Sequence, residues 1–313
     1  MPRWLTTEQA CTFAHLTTPS LALALDGLVG PDASPPAPTD SLMAAGQTFA
    51  GLPAAMAVVR QSPDAALEVI SLAVAEPFRR LGLARQLLLW LQAEALRLGF
   101  TSLSLSYPLA HGSTAAMERL TAGWQHSPGL RLVHSDRAGG AALVQRITPL
   151  AARWLRSGRF SLVRWQAMGG DLRCRLEQRQ QQAPPWAWPA AADTALVQRD
   201  DQISQVLLDR DAVIGWLIAH RVGRSLFRVT QWWVAPEWQG RGVALVLLHQ
   251  AVADALLAQP EYLSISFGVA AGSEEMLQIC RRHLEPLAST VQANQRASWE
   301  CSGRERLDCM GGG

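Results

Sequence analysis

Two short segments of this 313-residue chain carry residues of a type and spacing suited to holding a diphosphate. The first reads Val74-Ala75-Glu76-Pro77-Phe78-Arg79-Arg80-Leu81-Gly82-Leu83-Ala84, and the second Val234-Ala235-Pro236-Glu237-Trp238-Gln239-Gly240-Arg241-Gly242-Val243-Ala244. Both fit Q/R-x-x-G-x-G/A between a predicted strand and a predicted helix. Such a turn aims free backbone N–H groups outward, and the helix N-terminus adds the positive end of its dipole. Glycine lets the backbone approach a bulky anion, so the turn can cradle a pyrophosphate. Arg137-Ala138-Gly139-Gly140-Ala141-Ala142 also fits the pattern, but the sequence there predicts a following strand rather than a helix. Context separates the three matches.

The elements that position the two turns form an internal repeat. Shifted by 160 positions, Val74–Ser113 lies on Val234–Ser273 without a gap, and 15 of the 40 pairs are identical. The matches include Gly82/Gly242, Ser104/Ser264, Ser106/Ser266 and Gly112/Gly272. Each copy reads as strand, turn, helix, strand, helix. The strands are Leu67–Val74 and Phe227–Val234, then Ser102–Tyr107 and Tyr262–Phe267. The long helices are Leu83–Leu98 and Val243–Leu257; Ser113–Ala122 and Ser273–Arg282 come next, with serine as N-cap. Hairpins are predicted upstream, over 43–60 and over 205–222 with a turn at 209–211. Two strands each are predicted over 130–147 and 287–299. The outcome is an α/β (α+β) fold: two tandem domains, each a mixed twisted sheet flanked by helices. The boundaries expected are 1–150 and 151–302, with a disordered tail over 303–313. Pro31–Pro38 and Pro184–Pro189 read as loops.

Composition narrows the function classes. At about 150 residues per domain the length suits two domains. With 49% hydrophobic and 17% charged residues, the chain is no disordered or acidic-tail protein. All 28 Lys+Arg positions are arginine, against 26 acids, for a net charge of +2. Neither half has the basic excess of a nucleic-acid binder. The five cysteines are odd in number, widely spaced and without a C-x-x-C, which argues against a disulfide framework or a zinc site and fits a reducing compartment. No signal peptide and no apolar run long enough for a membrane span is evident. The expectation is a cytoplasmic protein, monomer or homodimer, with no metal, nucleic-acid or membrane partner. A dinucleotide-binding oxidoreductase fits poorly, because no G-x-G-x-x-G follows a strand.

On these motifs the sequence resembles the GCN5-related N-acetyltransferase (GNAT) superfamily, as a tandem of two such domains. The resemblance is strongest over 67–122 and 227–282. It implies that acetyl-CoA, or another acyl-CoA, is the cosubstrate, and that a small-molecule or protein amine is the acceptor. It assigns cofactor binding to Val74, Arg79, Arg80, Leu81, Gly82, Leu83 and Ala84, and to Val234, Gln239, Gly240, Arg241, Gly242, Val243 and Ala244, the second set being the closer match.

Acyl transfer to an amine needs a base, an oxyanion donor and a proton source for the thiolate. Glu68 stands 11 positions before Arg79, where several family members carry a base; the other reading is a solvated glutamate at a strand start. The second copy has Arg228 at that position. The family's acid, a tyrosine on the helix after strand five, is replaced by Leu120 and Cys280. Tyr107, at a strand end, and Cys280 are the remaining proton-donor candidates; Cys280 also reads as a buried structural thiol. The tryptophans concentrated after residue 150 read mainly as core, with at most one of the neighbours Trp232 and Trp233 facing a given cleft. The rival to an N-acyltransferase is a catalytically degenerate tandem pair serving as acyl-CoA sensor or interaction scaffold.

Overall fold

The structure, a computed structural model, describes residues 1–25, 28, 41–61, 65–183, 198–222 and 225–300. The two Pro-rich segments and the 303–313 tail lie outside the described residues. Elements run β1 (Arg3–Trp4), α1 (Thr7–Thr12), α2 (Pro19–Ala24), β2 (Leu42–Phe49), β3 (Leu52–Gln61), β4 (Ala66–Val74), α3 (Leu83–Arg97), β5 (Ser102–Pro108), α4 (Thr114–Leu120), β6 (Gln125–Asp136) and α5 (Arg137–Leu155). They continue with β7 (Phe160–Arg164), α6 (Gly170–Gln180), β8 (Gln198–Arg199), β9 (Gln205–Asp209), β10 (Ala212–Val222), β11 (Leu226–Val234), α7 (Ala244–Val252), β12 (Ser264–Ala270), α8 (Glu274–Ile279) and β13 (Thr290–Glu300).

The chain forms two compact units, 1–129 with 293–313, and 130–292. In the first, the strand order is β1-β2-β3-β4-β5-β13; in the second it is β6-β12-β11-β10-β9-β7, with β8 also on β10. Each sheet is mixed: β4 and β5 are parallel, as are β11 and β12, while every other pair is antiparallel. Alternation along the strands sends Leu103, Leu105 and Tyr107 onto the face packed by Leu87, Leu88 and Leu91 of α3. In the second unit Phe227, Val229, Ile265 and Phe267 meet Leu247, Leu248 and Val252 of α7 and Leu143, Val144 and Ile147 of α5. Trp216 and Trp233, stacked at 4.3 Å, fill the opposite face with Leu172 and Leu176 of α6.

Several expectations change. The junction predicted between 150 and 151 falls at 129/130, and the chain returns to the first unit at 293. The physical reason is strand pairing: residues 130–136 of β6 ladder with β12, and 294–300 of β13 ladder with β5. The segments 130–147 and 287–299 each contain one strand, not two. Strand β6 leads directly into the 19-residue helix α5, capped by Asp136, whose side chain accepts from Gly139 N–H. So the third sequence match does open a helix. Its glycines serve packing: a Cβ on Gly139 would lie 2.2 Å from the Leu287 carbonyl oxygen, and one on Gly140 would lie 1.8 Å from Leu256 Cδ1.

The repeat holds, but not gap-free. Glu68 faces Ser104 and Arg228 faces Ser266, so β5 and β12 correspond with a shift of 162 rather than 160. The added length enters after α7, which continues as a π-helix over Ala253–Ala258. Ser113 and Ser273 do occupy N-cap positions, yet neither hydroxyl caps its helix.

Candidate functional site

The two turns share one geometry built by local hydrogen bonds. After β4, a short 3-10 turn over Glu76–Phe78 leads into the loop, with Phe78 N–H donating to Ala75 and Arg79 N–H to Glu76. After β11, Pro236–Trp238 repeats this, with Trp238 N–H donating to Ala235 and Gln239 N–H to Pro236. The Q/R residue then ties the loop to the strand end: Gln239 Nε2 donates to the Val234 carbonyl at 2.8 Å, and Arg79 Nε to the Val74 carbonyl at 3.4 Å. This role explains why a long side-chain donor is needed there.

Backbone angles complete the match. Positions 80 and 82 have φ of +67° and +78°, and positions 240 and 242 have φ of +70° and +79°. The first copy therefore holds Arg80 in the left-handed region that Gly240 occupies in the second. Gly82 is the N-cap of α3, and its flank is open, with nothing within 4 Å of a would-be Cβ. Gly242 is tighter, with Leu150 of α5 at 3.0 Å. Leu83 and Val243 turn inward into their cores, which anchors the first helical turn. Arg241 extends over the Trp238 ring, 5.5 Å from its centroid.

Next to each turn the parallel strands part. The β11–β12 ladder ends at Val229–Phe267, although β11 runs on to Val234 and β12 to Ala270. The β4–β5 ladder ends at Val69–Leu105, with the same overhang. A bulge sits just past each end, leaving Ile70 unpaired with β3 and Thr230 unpaired with β10. Bulges twist and bend a strand locally, so the 160-residue spacing of these two gives both splays one cause.

In the second unit the splay opens into a cavity of about 490 Å³, lined by Thr230, Gln231, Trp232, Gly268, Val269, Met276 and Cys280 among others. That volume is in the usual range of small-ligand sites. Trp232 links cavity and turn, since its indole N–H donates to the Ala244 carbonyl at 3.0 Å, at the head of α7. In the first unit a cavity of about 450 Å³ lies over α3 and α4, against Arg85, Gln92, Arg119 and Trp124.

The candidate acid–base residues fall in separate places. Glu68 projects from β4 and binds Arg60 Nη2 across the β3–β4 pair at 2.5 Å. Tyr107 is buried on the opposite face of that sheet, just beyond the last β4–β5 pair, and its hydroxyl has no partner among the described residues. Its ring meets His126 edge-on. Tyr262, expected on a strand, precedes β12 and spends its hydroxyl on Asp200 at 2.5 Å. Cys280 does reach the second unit's cavity, in the π-turn after α8; burial pushes its thiol up to about 11. A thiol held that high releases its proton less readily than an ordinary one near 8.5, which favours a wall residue over an acid. The sequence reading missed the role of Trp232 and the two bulges; the only trace of the bulges was their shared place in the repeat.

Comparison with known proteins gives one family. The model of the acetyltransferase (GNAT) family matches residues 34–120 and 173–270. Among solved structures, a tandem GNAT protein from the clavulanic acid biosynthesis pathway, determined without acetyl-CoA, superposes with a TM-score of 0.62 at 16% identity, covering 96% of this chain and 99% of that one. A GCN5-related N-acetyltransferase from Sphaerobacter thermophilus has a TM-score of 0.56 at 15% identity, with 96% of each chain covered. A glucosamine N-acetyltransferase region of a fungal multi-domain β-N-acetylglucosaminidase has a TM-score of 0.66 at 13% identity, over 96% of this chain and 38% of that one. At these identities the likeness concerns the fold. No curated protein matches the sequence.

Proposed function

Because the chain belongs to the acetyltransferase (GNAT) family, as a tandem member, we propose that it is an acyl-CoA-dependent N-acyltransferase and that its second unit carries the transfer site. The acyl group we assign is acetyl, and the acceptor is an amine. The observation that carries this reading is the cavity between the parted ends of β11 and β12, tied through Trp232 to the head of α7.

The chain's own groups divide the work. Backbone amides of the Gly240–Ala244 turn hold the diphosphate, helped by the α7 dipole. The apolar cavity takes the pantetheine arm and keeps water from the thioester. Past Val229, the inner edge of β11 no longer ladders with β12, so N–H groups on that edge are free to stabilise the oxyanion that develops during attack. The Arg79–Ala84 turn we read as a second cofactor site. There Glu68 must exchange Arg60 for the incoming amine before it can accept a proton, and Tyr107, two residues past the last laddered pair, offers a hydroxyl without a partner among the described residues.

Calorimetric titration tests the binding half of this proposal. Acetyl-CoA binds the intact protein, Gly242→Glu abolishes the second unit's site by placing a carboxylate in the anion cradle, and Gly82→Glu does the same in the first. No heat with the intact protein overturns it. Thiol release against a panel of amines tests the catalytic half: binding without any release leaves the sensor or scaffold reading in its place.

A further inference from the structure

The two copies differ in charge just before the splay opens. In the first unit the cross-strand neighbours are Arg60 and Glu68, paired to each other; in the second the corresponding neighbours are His220 and Arg228. Arg228 stands where the first unit has Glu68, and His220 where it has Arg60, so a cation replaces the carboxylate and no acid faces it across the pair. Because Val229 points into the core beneath α7, alternation sends Arg228 to the opposite face of the sheet.

Register places two further polar groups beside it on that face. Ser266 of β12 is directly opposite Arg228, and His134 of β6 is directly opposite Ser266. The Ser266 residue is 0% exposed, and its hydroxyl has no hydrogen-bond partner among the described residues; Arg228 Nε is likewise buried without one. No ion pair to Arg228 occurs among the described residues, and burial pushes its guanidinium below the usual range with no acid to offset it. His134 is pushed down by burial and by Arg228, so it brings no second positive charge at neutral pH. A buried donor without a partner is costly, and a desolvated guanidinium more so. A planar oxyanion would satisfy both, since arginine's fork matches a carboxylate and the hydroxyl adds a third donor.

We propose that Arg228 and Ser266 form the acceptor subsite of the second unit and bind a carboxylate, so that its substrates are amines that also carry a carboxylate group. This rests on the second unit being the transfer site. Arg228 and Ser266 directly precede Val229 and Phe267, the last laddered pair and part of the cavity lining. The subsite therefore stands where the splay begins, on the other face of the sheet, and an acceptor anchored there by its carboxylate can present its amine through the parted strands.

Product-like ligands test the subsite without any transfer step. Wild-type protein is titrated at fixed ionic strength with N-acetylglycine, N-acetyl-4-aminobutyrate and N-acetylphenylalanine, and with the uncharged N-methylamide of each. The expected result is that at least one acid binds about ten-fold tighter than its amide. Arg228→Leu erases that preference and leaves amide binding unchanged, Arg228→Lys retains part of it, and Ser266→Ala weakens the acid severalfold. Acetyl-CoA binding by each variant in a Gly82→Glu background, which lacks the first unit's site, confirms that the second unit is folded; the acid-to-amide comparison in wild-type protein does not depend on any variant. Equal binding of every acid and its amide, no acid binding at all, or an undiminished preference in Arg228→Leu overturns the subsite. Acid-selective binding without thiol release for any amine would instead overturn the transferase reading and leave the subsite standing.

Discussion

Position 80 shows how one backbone conformation is served by two residue types. Arg80 at φ +67° sits where the second copy has Gly240 at φ +70°. A side chain in the left-handed region costs about 1–2 kcal/mol, whereas glycine reaches it freely but loses more entropy on folding. The strain exceeds the entropy term, so Arg80→Gly should stabilise the first unit by about 0.5–1 kcal/mol in urea titration. Gly242→Ala should do the reverse in the second unit, by about 1–2 kcal/mol, because the φ of +79° is unfavourable to alanine and the new Cβ presses on Leu150 at 3.0 Å. A destabilised Arg80→Gly variant would show that the arginine side chain makes contacts that outweigh the strain. The sequence exposed the turn through Gly82 and Gly242, but it held no sign that Arg80 shares their left-handed conformation, because φ is not written in an arginine. The same limit hid Trp232: its type was plain, but its hydrogen bond to Ala244 depends on how β11 bends at Thr230.

Among elements, periodicity found the hairpins and both long helices, because each buries one clear stripe or face. It failed over 137–155, where three signals pointed the wrong way. Gly139-Gly140 and Pro149 lower helix propensity, and a run of small residues weakens the stripe. The helix α5 forms for tertiary reasons: the Asp136 cap and a face built from Leu143, Val144, Ile147 and Ala151 that enters the second core. Gly139 and Gly140 are there because the helix passes close to its neighbours. The two differ in what a methyl group would meet, since the obstacle at Gly139 is the Leu287 backbone and the one at Gly140 is the end of the Leu256 side chain. A side chain can rotate away and a strand-flanking carbonyl cannot. Gly139→Ala should therefore cost about 2–3 kcal/mol and Gly140→Ala about 1 kcal/mol or less, despite the nominally shorter distance at the latter. Thermal melts of the two variants check the order; the reverse order would mean that the backbone around Leu287 yields more easily than the Leu256 side chain. The comparison also separates the kinds of glycine that the shared motif confuses, those with positive φ at open turns and those in a close helix crossing.

For the molecule, duplication was legible because glycines and serines recur at a fixed spacing, and with it came the fold class. The division into units was not legible, because strand pairing is a long-range property that no local pattern encodes. Residues 130–155 lie in sequence beside the first unit yet supply an edge strand and a packed helix to the second, while 294–300 supply the β5 partner of the first. Each unit therefore depends on a segment from the far side of the sequence midpoint. A chain cut after residue 150 separates both donations at once. Fragment 1–150 keeps residues 137–150 of α5 without the core they fill and leaves β5 with an open edge, exposing Leu143, Val144 and Ile147 to water. Fragment 151–313 loses those side chains together with Val133; at about 1.5–3 kcal/mol for each large apolar side chain, the loss approaches the whole stability of a domain of this size. Neither fragment should show a cooperative thermal transition by circular dichroism. Fragment 130–292, equal in length to 151–313 but with its core complete, should show one. Cooperative melting of 1–150 and 151–313 with failure of 130–292 would mean that the strands can re-pair within their own halves, and that the ladders β6–β12 and β13–β5 are one arrangement of two.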